Sequence, residues 1–179
     1  MKTLSTLSLF VVLSLCATCM AQDNTEASMG KEHYKHALGV AAGLTTGYGL
    51  SYRYYIHRFA FQLTFAPYSR KDNYSVYTNK ELRLNTGLGF LFNLVEGEKS
   101  NLFLYQSNYL YYSKFSSTRG GLYPGTNEST ENYFNNGLGL GIEFIIVKKA
   151  SLNFQAGYAG YHNFETIDFT GELGLFYKF

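Results

Sequence analysis

The chain has 179 residues, a length that suits one domain of moderate size. Its net charge of +2 excludes the strongly basic surface that a nucleic-acid-binding protein needs. It contains 17 Tyr, 15 Phe and 18 Gly but only 2 Pro and no Trp, a composition that favours β-strands. The sequence has no apolar run as long as a transmembrane helix, so contact with a membrane would be made by strands.

The N-terminal segment, residues 1–21, has the organisation of a secretory signal peptide. Lys2 supplies a basic start, an apolar run follows, and small residues lead to Ala21, after which we predict cleavage. Cleavage there removes both cysteines, Cys16 and Cys19, so the exported chain would form no disulfide. A lipoprotein signal is the alternative, but neither cysteine is preceded by a suitable small residue.

Residues 22–35 are polar and aperiodic, which predicts a flexible periplasmic segment before a barrel domain at 36–179. From residue 36 onward, apolar and polar side chains alternate with a period of two, as in strands whose sides face different environments. Each run has roughly ten residues, enough for a tilted strand to cross the hydrocarbon layer. The eight runs are 36–45, 48–56, 59–66, 81–92, 103–111, 137–144, 152–158 and 167–179.

One side of every run is apolar and uncharged, as expected where a charge facing lipid at mid-depth costs about 2–4 kcal/mol. The other side is rich in Gly, Ala, Ser and Asn, which suits the crowded interior of a narrow closed barrel. The predicted fold is therefore all-β, an eight-stranded antiparallel up-and-down transmembrane β-barrel. The fifth run is mixed on both sides, and we assign these residues to its apolar side: Phe103, Tyr105, Ser107, Tyr109 and Tyr111.

The charges within the predicted strands all lie on the polar side, which places them inside the barrel. Because an eight-stranded barrel is too narrow for an open pore, we predict that they form a buried ion-pair network that fixes the strand register. A gated path for water or ions is the alternative use of the same side chains. The predicted network consists of Arg53, Glu81, Arg83, Glu143, Asp168, Glu172 and Lys178.

Two long polar loops are predicted at the external end of the barrel, at residues 69–78 and 114–132. With the N-terminus in the periplasm, the connections after the first, third, fifth and seventh runs are external. Short periplasmic turns and longer external loops are typical of outer-membrane barrels. The segment 115–132 is a candidate contact site for a surface or envelope partner, although nothing in it identifies a ligand.

The chain ends in the sequence G-L-F-Y-K-F, with Phe179 last. With the signal peptide and the eight alternating runs, this ending resembles the small eight-stranded outer-membrane barrels of the OmpA/OmpX superfamily. The Tyr- and Gly-rich style is similar to the porin-like barrels of the Bacteroidetes. The resemblance implies a Gram-negative outer membrane, contact with its lipid, and recognition of the last strand by the barrel assembly machinery through Leu175, Tyr177 and Phe179.

We expect no catalytic, cofactor or metal site, and we expect that the protein is not an enzyme. His162 lies near Glu165 and Asp168 and could act as a base with an orienting acid. However, no serine or second Asp pair accompanies them as in known outer-membrane hydrolases. One weak metal half-site consists of Glu32, His33 and His36.

The leading functional hypothesis is a structural or surface-interaction role through the external loops, with the interior filled by side chains. An enzyme that acts on lipid A or another envelope component is the second hypothesis, and a narrow channel is the third. A soluble lipocalin-like barrel would place the apolar side inward, which would leave the glycine-rich side as a poor outer surface.

Overall fold

The computed structural model describes residues 34–73, 77–119 and 125–179, which form one antiparallel sheet closed into a barrel. Each strand pairs with the next in sequence, and the first pairs with the last. The described part of the chain contains no helix that is long and apolar enough to cross a membrane. The strands are β1 His36–Gly43, β2 Gly47–Ile56, β3 Phe59–Asn73, β4 Tyr77–Glu96, β5 Ser100–Arg119, β6 Gly125–Val147, β7 Ala150–Tyr161 and β8 Thr166–Lys178.

The barrel closes where β1 pairs with β8, with Val40 opposite Leu175. Glycine is needed in β1 at this seam, because a Cβ on Gly39 would overlap the carbonyl oxygen of Leu175. Closure leaves no sheet edge in the ring, which a strand assembly in a bilayer requires. The predicted fold class, an eight-stranded antiparallel up-and-down barrel, is confirmed.

The barrel is polar inside and apolar outside, the reverse of a soluble protein. Arg53, Gln62, Asn85 and Asn153 are among the largest fully buried side chains. The outside forms a lipid-facing belt, the arrangement of a barrel that spans a membrane. Exposed side chains of this belt include Leu38, Val40, Leu50, Phe61, Leu63, Phe90, Leu104, Leu138, Leu140, Phe154, Leu173 and Leu175.

Strand β5 faces the opposite way from its prediction. Phe103, Tyr105 and Tyr109 are buried in the lumen, whereas Leu104 and Leu110 are exposed on the lipid-facing side. The aromatic rings fit inside because glycines lie beside them on β6. Phe103 pairs with Gly141 and Tyr105 with Gly139, and a Cβ on Gly141 would overlap the Phe103 ring.

The predicted loops 69–78 and 114–132 are largely paired strands. Strands β3 and β4 pair up to Asn73 opposite Thr78, and β5 and β6 pair up to Arg119 opposite Gly125. The pairing of β2 with β3 ends at Phe65, so β3 to β6 continue past their neighbours. We call this four-stranded part, residues 66–73, 77–85, 111–119 and 125–133, the sheet extension; the hairpin tips at 74–76 and 120–124 lie outside the described residues.

The two ends of the barrel differ, as predicted. At the end that holds both the start of β1 and the end of β8, the connections are the short turns 57–58, 97–99 and 148–149. The sheet extension lies at the other end. The predicted signal peptide, residues 1–21, and nearly all of the predicted segment 22–35 lie outside the described residues.

Candidate functional site

The carboxylate of Glu143 on β6 is the centre of a network of ion pairs and hydrogen bonds in the lumen. Lys178 Nζ lies 2.8 Å from Oε2, and Arg53 Nη1 lies 3.8 Å from Oε1. Ser151 Oγ donates a hydrogen bond to Oε1 at 2.8 Å, and Asn101 Nδ2 donates to Oε2 at 2.9 Å. Tyr55 Oη on β2 also donates to Oε1, at 3.4 Å. Two cations and three neutral donors from four strands therefore compensate one buried charge.

Arg53 on β2 is fully buried, and its guanidinium is bonded on several sides. Gln62 Oε1 accepts hydrogen bonds from Nε at 3.2 Å and from Nη2 at 2.5 Å. The amide oxygen of Asn153, in the orientation that satisfies both groups, accepts from Nη1 at 2.7 Å. The Phe176 ring centroid lies 4.0 Å from Cζ, a cation–π contact. The prediction omitted these partners because it considered charges alone, although alternation places all three on the polar side.

Glu172 on β8 is also buried, but its direct partners are amides. Its Oε1 accepts hydrogen bonds from Gln62 Nε2 at 3.2 Å and Gln155 Nε2 at 3.1 Å. Among the described residues, its Oε2 has no hydrogen-bond partner. Gln62 bonds both Glu172 and Arg53, so it links the second buried carboxylate to the cation.

The structure places three predicted members of the network outside the lumen. Glu81 and Arg83 form an ion pair with each other in the sheet extension, where the Arg83 side chain is 44% exposed. The hydrogen bond to Glu81 raises the pKa of the Arg83 guanidinium above its usual value. Asp168 is exposed, and its carboxylate accepts the N–H of Phe169 at 2.7 Å. Alternation indicates the side of a strand on which a residue lies, but not its height along the barrel.

The β1–β2 turn, residues 44–46, lies across the mouth of the barrel at the end that carries the sheet extension, and we call it the plug turn. Thr45 and Thr46 are each only 2% exposed. Ser107 Oγ on β5 donates to Thr45 Oγ1 at 2.8 Å, and Asn135 Nδ2 on β6 donates to the Leu44 carbonyl at 3.0 Å. The turn therefore reaches the opposite wall of the barrel.

Glycines on the opposite wall make room for the plug turn. A Cβ on Gly87 would overlap the backbone carbonyl of Thr46, and a Cβ on Gly137 would lie 2.9 Å from Thr45 Cγ2. At the end of the turn, Gly47 has a φ of +76°, a conformation that favours glycine. The plug turn and the buried side chains around Arg53 therefore both lie inside the lumen.

The three residues predicted as an assembly signal all lie on the lipid-facing side of the last strand. Leu175, Tyr177 and Phe179 are 48%, 54% and 54% exposed. The Phe179 ring packs against His36, with centroids 5.8 Å apart, and the His36 ring is hydrogen-bonded to Tyr52 Oη at 2.7 Å. The C-terminal aromatic is thus packed on the first strand at the seam.

The sheet extension has an inner face, formed by the side chains that continue the lumen-facing side of its strands, and this face is rich in aromatic rings. At its base, Tyr111 and Tyr133 are stacked with centroids 4.7 Å apart, and the His162 ring lies 4.8 Å from Tyr133. Further out, Tyr68 and Phe115 are 45% and 40% exposed. The prediction missed this face because it treated these segments as loops, in which no alternation was sought.

His162 belongs to an unusual turn between β7 and β8. His162, Asn163 and Phe164 have φ values of 50°, 61° and 71°, in the left-handed region that such side chains rarely adopt. The turn is bonded to β6, since the His162 N–H donates to Asn135 Oδ1 at 2.9 Å and the Asn163 N–H to the Phe134 carbonyl at 2.9 Å. A strained conformation of this kind persists only where the surroundings impose it.

The structure does not bring together the acid–base set considered from the sequence. The described contacts of the His162 side chain are with Tyr133, and the carboxylates of Glu165 and Asp168 make no described hydrogen bond to it. For the weak metal half-site, residues 32 and 33 lie outside the described residues. Among the residues that are described, no three potential metal ligands cluster.

Comparison with known proteins shows similarity to solved structures alone. No protein-family model matches the chain, and no curated protein sequence matches it. The attachment invasion locus protein Ail of Yersinia pestis is 18% identical over 80% of this chain and 96% of that chain, with a TM-score of 0.44. The N-terminal β-barrel domain of Pseudomonas aeruginosa OprF is 14% identical over 80% and 95% (TM-score 0.46), and Acinetobacter baumannii CarO is 13% identical over 84% and 100% (TM-score 0.45).

Each of these three structures is matched over 80% or more of this chain. At such low identities and TM-scores they carry no argument about activity. The barrel is established by the strand pairing of this chain itself.

Proposed function

We propose that this protein is an integral outer-membrane barrel that holds the sheet extension at the cell surface, where the extension contacts another molecule. The observation that carries the proposal is that four of the eight strands continue as paired sheet beyond the lipid-facing belt. The outer side of the sheet extension is polar and includes an ion pair between Lys114 and Glu128 at 3.2 Å. Charged pairs of this kind belong in water, above the hydrocarbon layer.

The buried side chains in the lumen favour a role as an anchor for the sheet extension over a role in permeation. Arg53, Phe103 and Phe176 are fully buried inside the barrel, and the plug turn lies across the mouth. An eight-stranded barrel has an interior that side chains can fill completely. The ion pairs around Glu143 then fix strands to one another and stabilise the register of the barrel.

The orientation follows from the asymmetry of the connections. Outer-membrane barrels have short periplasmic turns and longer external segments. The sheet extension would therefore be external, and the turns 57–58, 97–99 and 148–149 periplasmic. We also propose that the barrel assembly machinery recognises Leu175, Tyr177 and Phe179.

Cysteine labelling of intact cells tests this proposal. Thr118→Cys lies in the sheet extension and Lys148→Cys in a short turn at the opposite end, and both positions are exposed. We expect a membrane-impermeant maleimide to label the first variant on intact cells and the second only after permeabilisation, with the parent chain as the background. Labelling in the reverse order, or recovery of the protein in the soluble fraction, would contradict the proposal.

A further inference from the structure

The inner face of the sheet extension holds two exposed aromatic rings on either side of a charged pair. Tyr68 on β3 pairs across the sheet with Arg83 on β4, and Glu81 on β4 pairs with Phe115 on β5. Because neighbouring strands lie about 4.8 Å apart, Tyr68 and Phe115 stand on strands roughly 10 Å apart. This arrangement gives a patch with an aromatic ring at each side and polar groups between the two rings.

The polar groups of this patch suit a ligand with hydroxyl groups. The Arg83 guanidinium can only donate hydrogen bonds, and the Glu81 carboxylate can only accept them. A hydroxyl group can do both, so one ligand hydroxyl can accept from Arg83 while it or its neighbour donates to Glu81. Hydrogen bonds to charged groups are stronger than those between neutral groups.

The charges on the inner face balance one another in number, which favours an uncharged ligand. The face carries three cations and three carboxylates: Arg70, Arg83 and Arg119, and Asp72, Glu81 and Glu131. Arg83 is paired with Glu81, and Arg70 is paired with Asp72 at 2.8 Å. Each pair is neutral as a unit, so the patch would attract neither a polyanion nor a polycation strongly. Charge complementarity is therefore best with a neutral molecule.

The free edges of the sheet extension are less suited to binding a partner strand. The β3 edge carries Pro67, which lacks a backbone N–H, followed by Arg70, Lys71 and Asp72, and the β6 edge carries Glu128 and Glu131. Proline and charged side chains on an edge strand oppose pairing with another chain. The face of the extension, and not its edge, is the surface left for binding.

The base of the patch is held in place by the strained turn at His162. The His162 ring is exposed and covers one side of the Tyr111–Tyr133 stack. Within the described residues, neither ring nitrogen of His162 is hydrogen-bonded. Strained backbone is often found at ligand sites, where the geometry must be set before binding.

We propose that the inner face of the sheet extension binds an uncharged glycan, and this inference rests on the proposed surface role. Tyr68 and Phe115 pack against the apolar faces of sugar rings, Glu81 and Arg83 bond their hydroxyls, and the His162 ring bounds the site at its base. A sulfated glycan and a peptide are the competing occupants.

Binding of the folded protein in detergent to an array of immobilised uncharged oligosaccharides tests the inference, with heparin and an oligolysine peptide on the same array. We expect at least one uncharged oligosaccharide to bind. Phe115→Ala and Tyr68→Ala should each weaken that binding about tenfold or more. Tyr112→Ala, an aromatic change on the outer face of the same strand, is the matched control and should leave binding unchanged.

Binding to heparin or the peptide alone, equal losses in the Tyr112 and Phe115 variants, or no binding to any uncharged oligosaccharide would each overturn the inference. Retention of the heat-modifiable band in each variant shows that the barrel is folded. If Thr118→Cys is labelled on intact cells while no glycan binds, the glycan inference fails and the surface role stands.

Discussion

Lys178 Nζ lies 2.8 Å from Glu143 Oε2, and this ion pair passes over β7 to join the last strand to β6. Arg53 approaches the same carboxylate from β2. The contact therefore connects strands that are not neighbours in the ring. Backbone pairing alone cannot make such a connection.

Removal of the Glu143 charge should destabilise the barrel strongly. In Glu143→Gln, the side-chain shape is kept, but Lys178 and Arg53 remain in the lumen without their shared carboxylate. Breaking a buried pair in this way costs about 3–5 kcal/mol. Urea titration of the protein in lipid vesicles measures the loss. Glu81→Gln, which breaks the exposed pair with Arg83, is the control and should cost at most about 1 kcal/mol; similar losses in the two variants would argue against a buried network.

The plug turn should be sensitive to one methyl group on the opposite wall. Gly87→Ala places a Cβ where the Thr46 carbonyl lies, so the turn or the wall must move. Overpacking of this kind should lower the free energy of unfolding by about 1–3 kcal/mol, as measured by urea titration in lipid vesicles. Gly89→Ala is the matched control, because its Cβ would make ordinary contact with Gln62 at 3.4 Å.

Conductance in planar bilayers provides a second readout for the same pair of variants. We expect the parent protein and Gly89→Ala to be closed, and Gly87→Ala to show openings if the plug turn is displaced outward. An open parent barrel would show that the plug turn does not close the mouth.

A charge on the outside of the barrel should be harmful only within the lipid-facing belt. Leu140→Lys places an ammonium on the belt, where a lysine at mid-depth costs about 2–4 kcal/mol. Leu82→Lys makes the same change on the outer side of a different strand, β4, in the sheet extension, and it should be nearly neutral. The yield of the heat-modifiable band and the urea concentration at the midpoint of unfolding measure the effect of each substitution. An equal effect at the two positions would mean that the belt extends further out than proposed.

Two substitutions at the seam between β1 and β8 can distinguish the effect of packing on stability from recognition of the last strand during assembly. Phe179→Ala removes both the terminal aromatic and its contact with His36, whereas His36→Ala keeps the terminal aromatic but removes this contact together with the hydrogen bond to Tyr52. An aromatic pair contributes about 0.5–1.5 kcal/mol, so both variants should lower the unfolding free energy, and His36→Ala should lower it at least as much as Phe179→Ala. We expect only Phe179→Ala to reduce the amount of folded barrel in the outer-membrane fraction of cells. An equal reduction in His36→Ala would assign the effect to packing instead of recognition.

Much of the barrel could be read from alternation alone. Eight runs with one uncharged apolar side predict eight strands, their order and the lipid-facing side, because a charge in hydrocarbon is costly and a strand turns its side chains with a period of two. The rule failed in β5, where both sides mix apolar and polar residues. Gly141 on β6 makes room there for the Phe103 ring inside the barrel, because a Cβ on Gly141 would overlap that ring.

Alternation also cannot show how much space a position has. It predicts that an aspartate at Gly139 is tolerated better than one at Leu140, because Gly139 faces the lumen. The structure adds a steric cost at Gly139 that alternation does not show. A Cβ on Gly139 would lie 2.7 Å from the Cα of Gly157 on β7, so even alanine does not fit there.

The sequence by itself determined the closed barrel, its apolar outside and its short-turn end, because these depend on local periodicity and on the cost of placing charge in lipid. Only the tertiary structure decided which charges meet. Arg53, Glu143 and Lys178 come together, while Glu81 and Arg83 lie in the sheet extension. The height of a residue along the barrel depends on the register and length of strands far apart in the chain, and no local pattern contains that information.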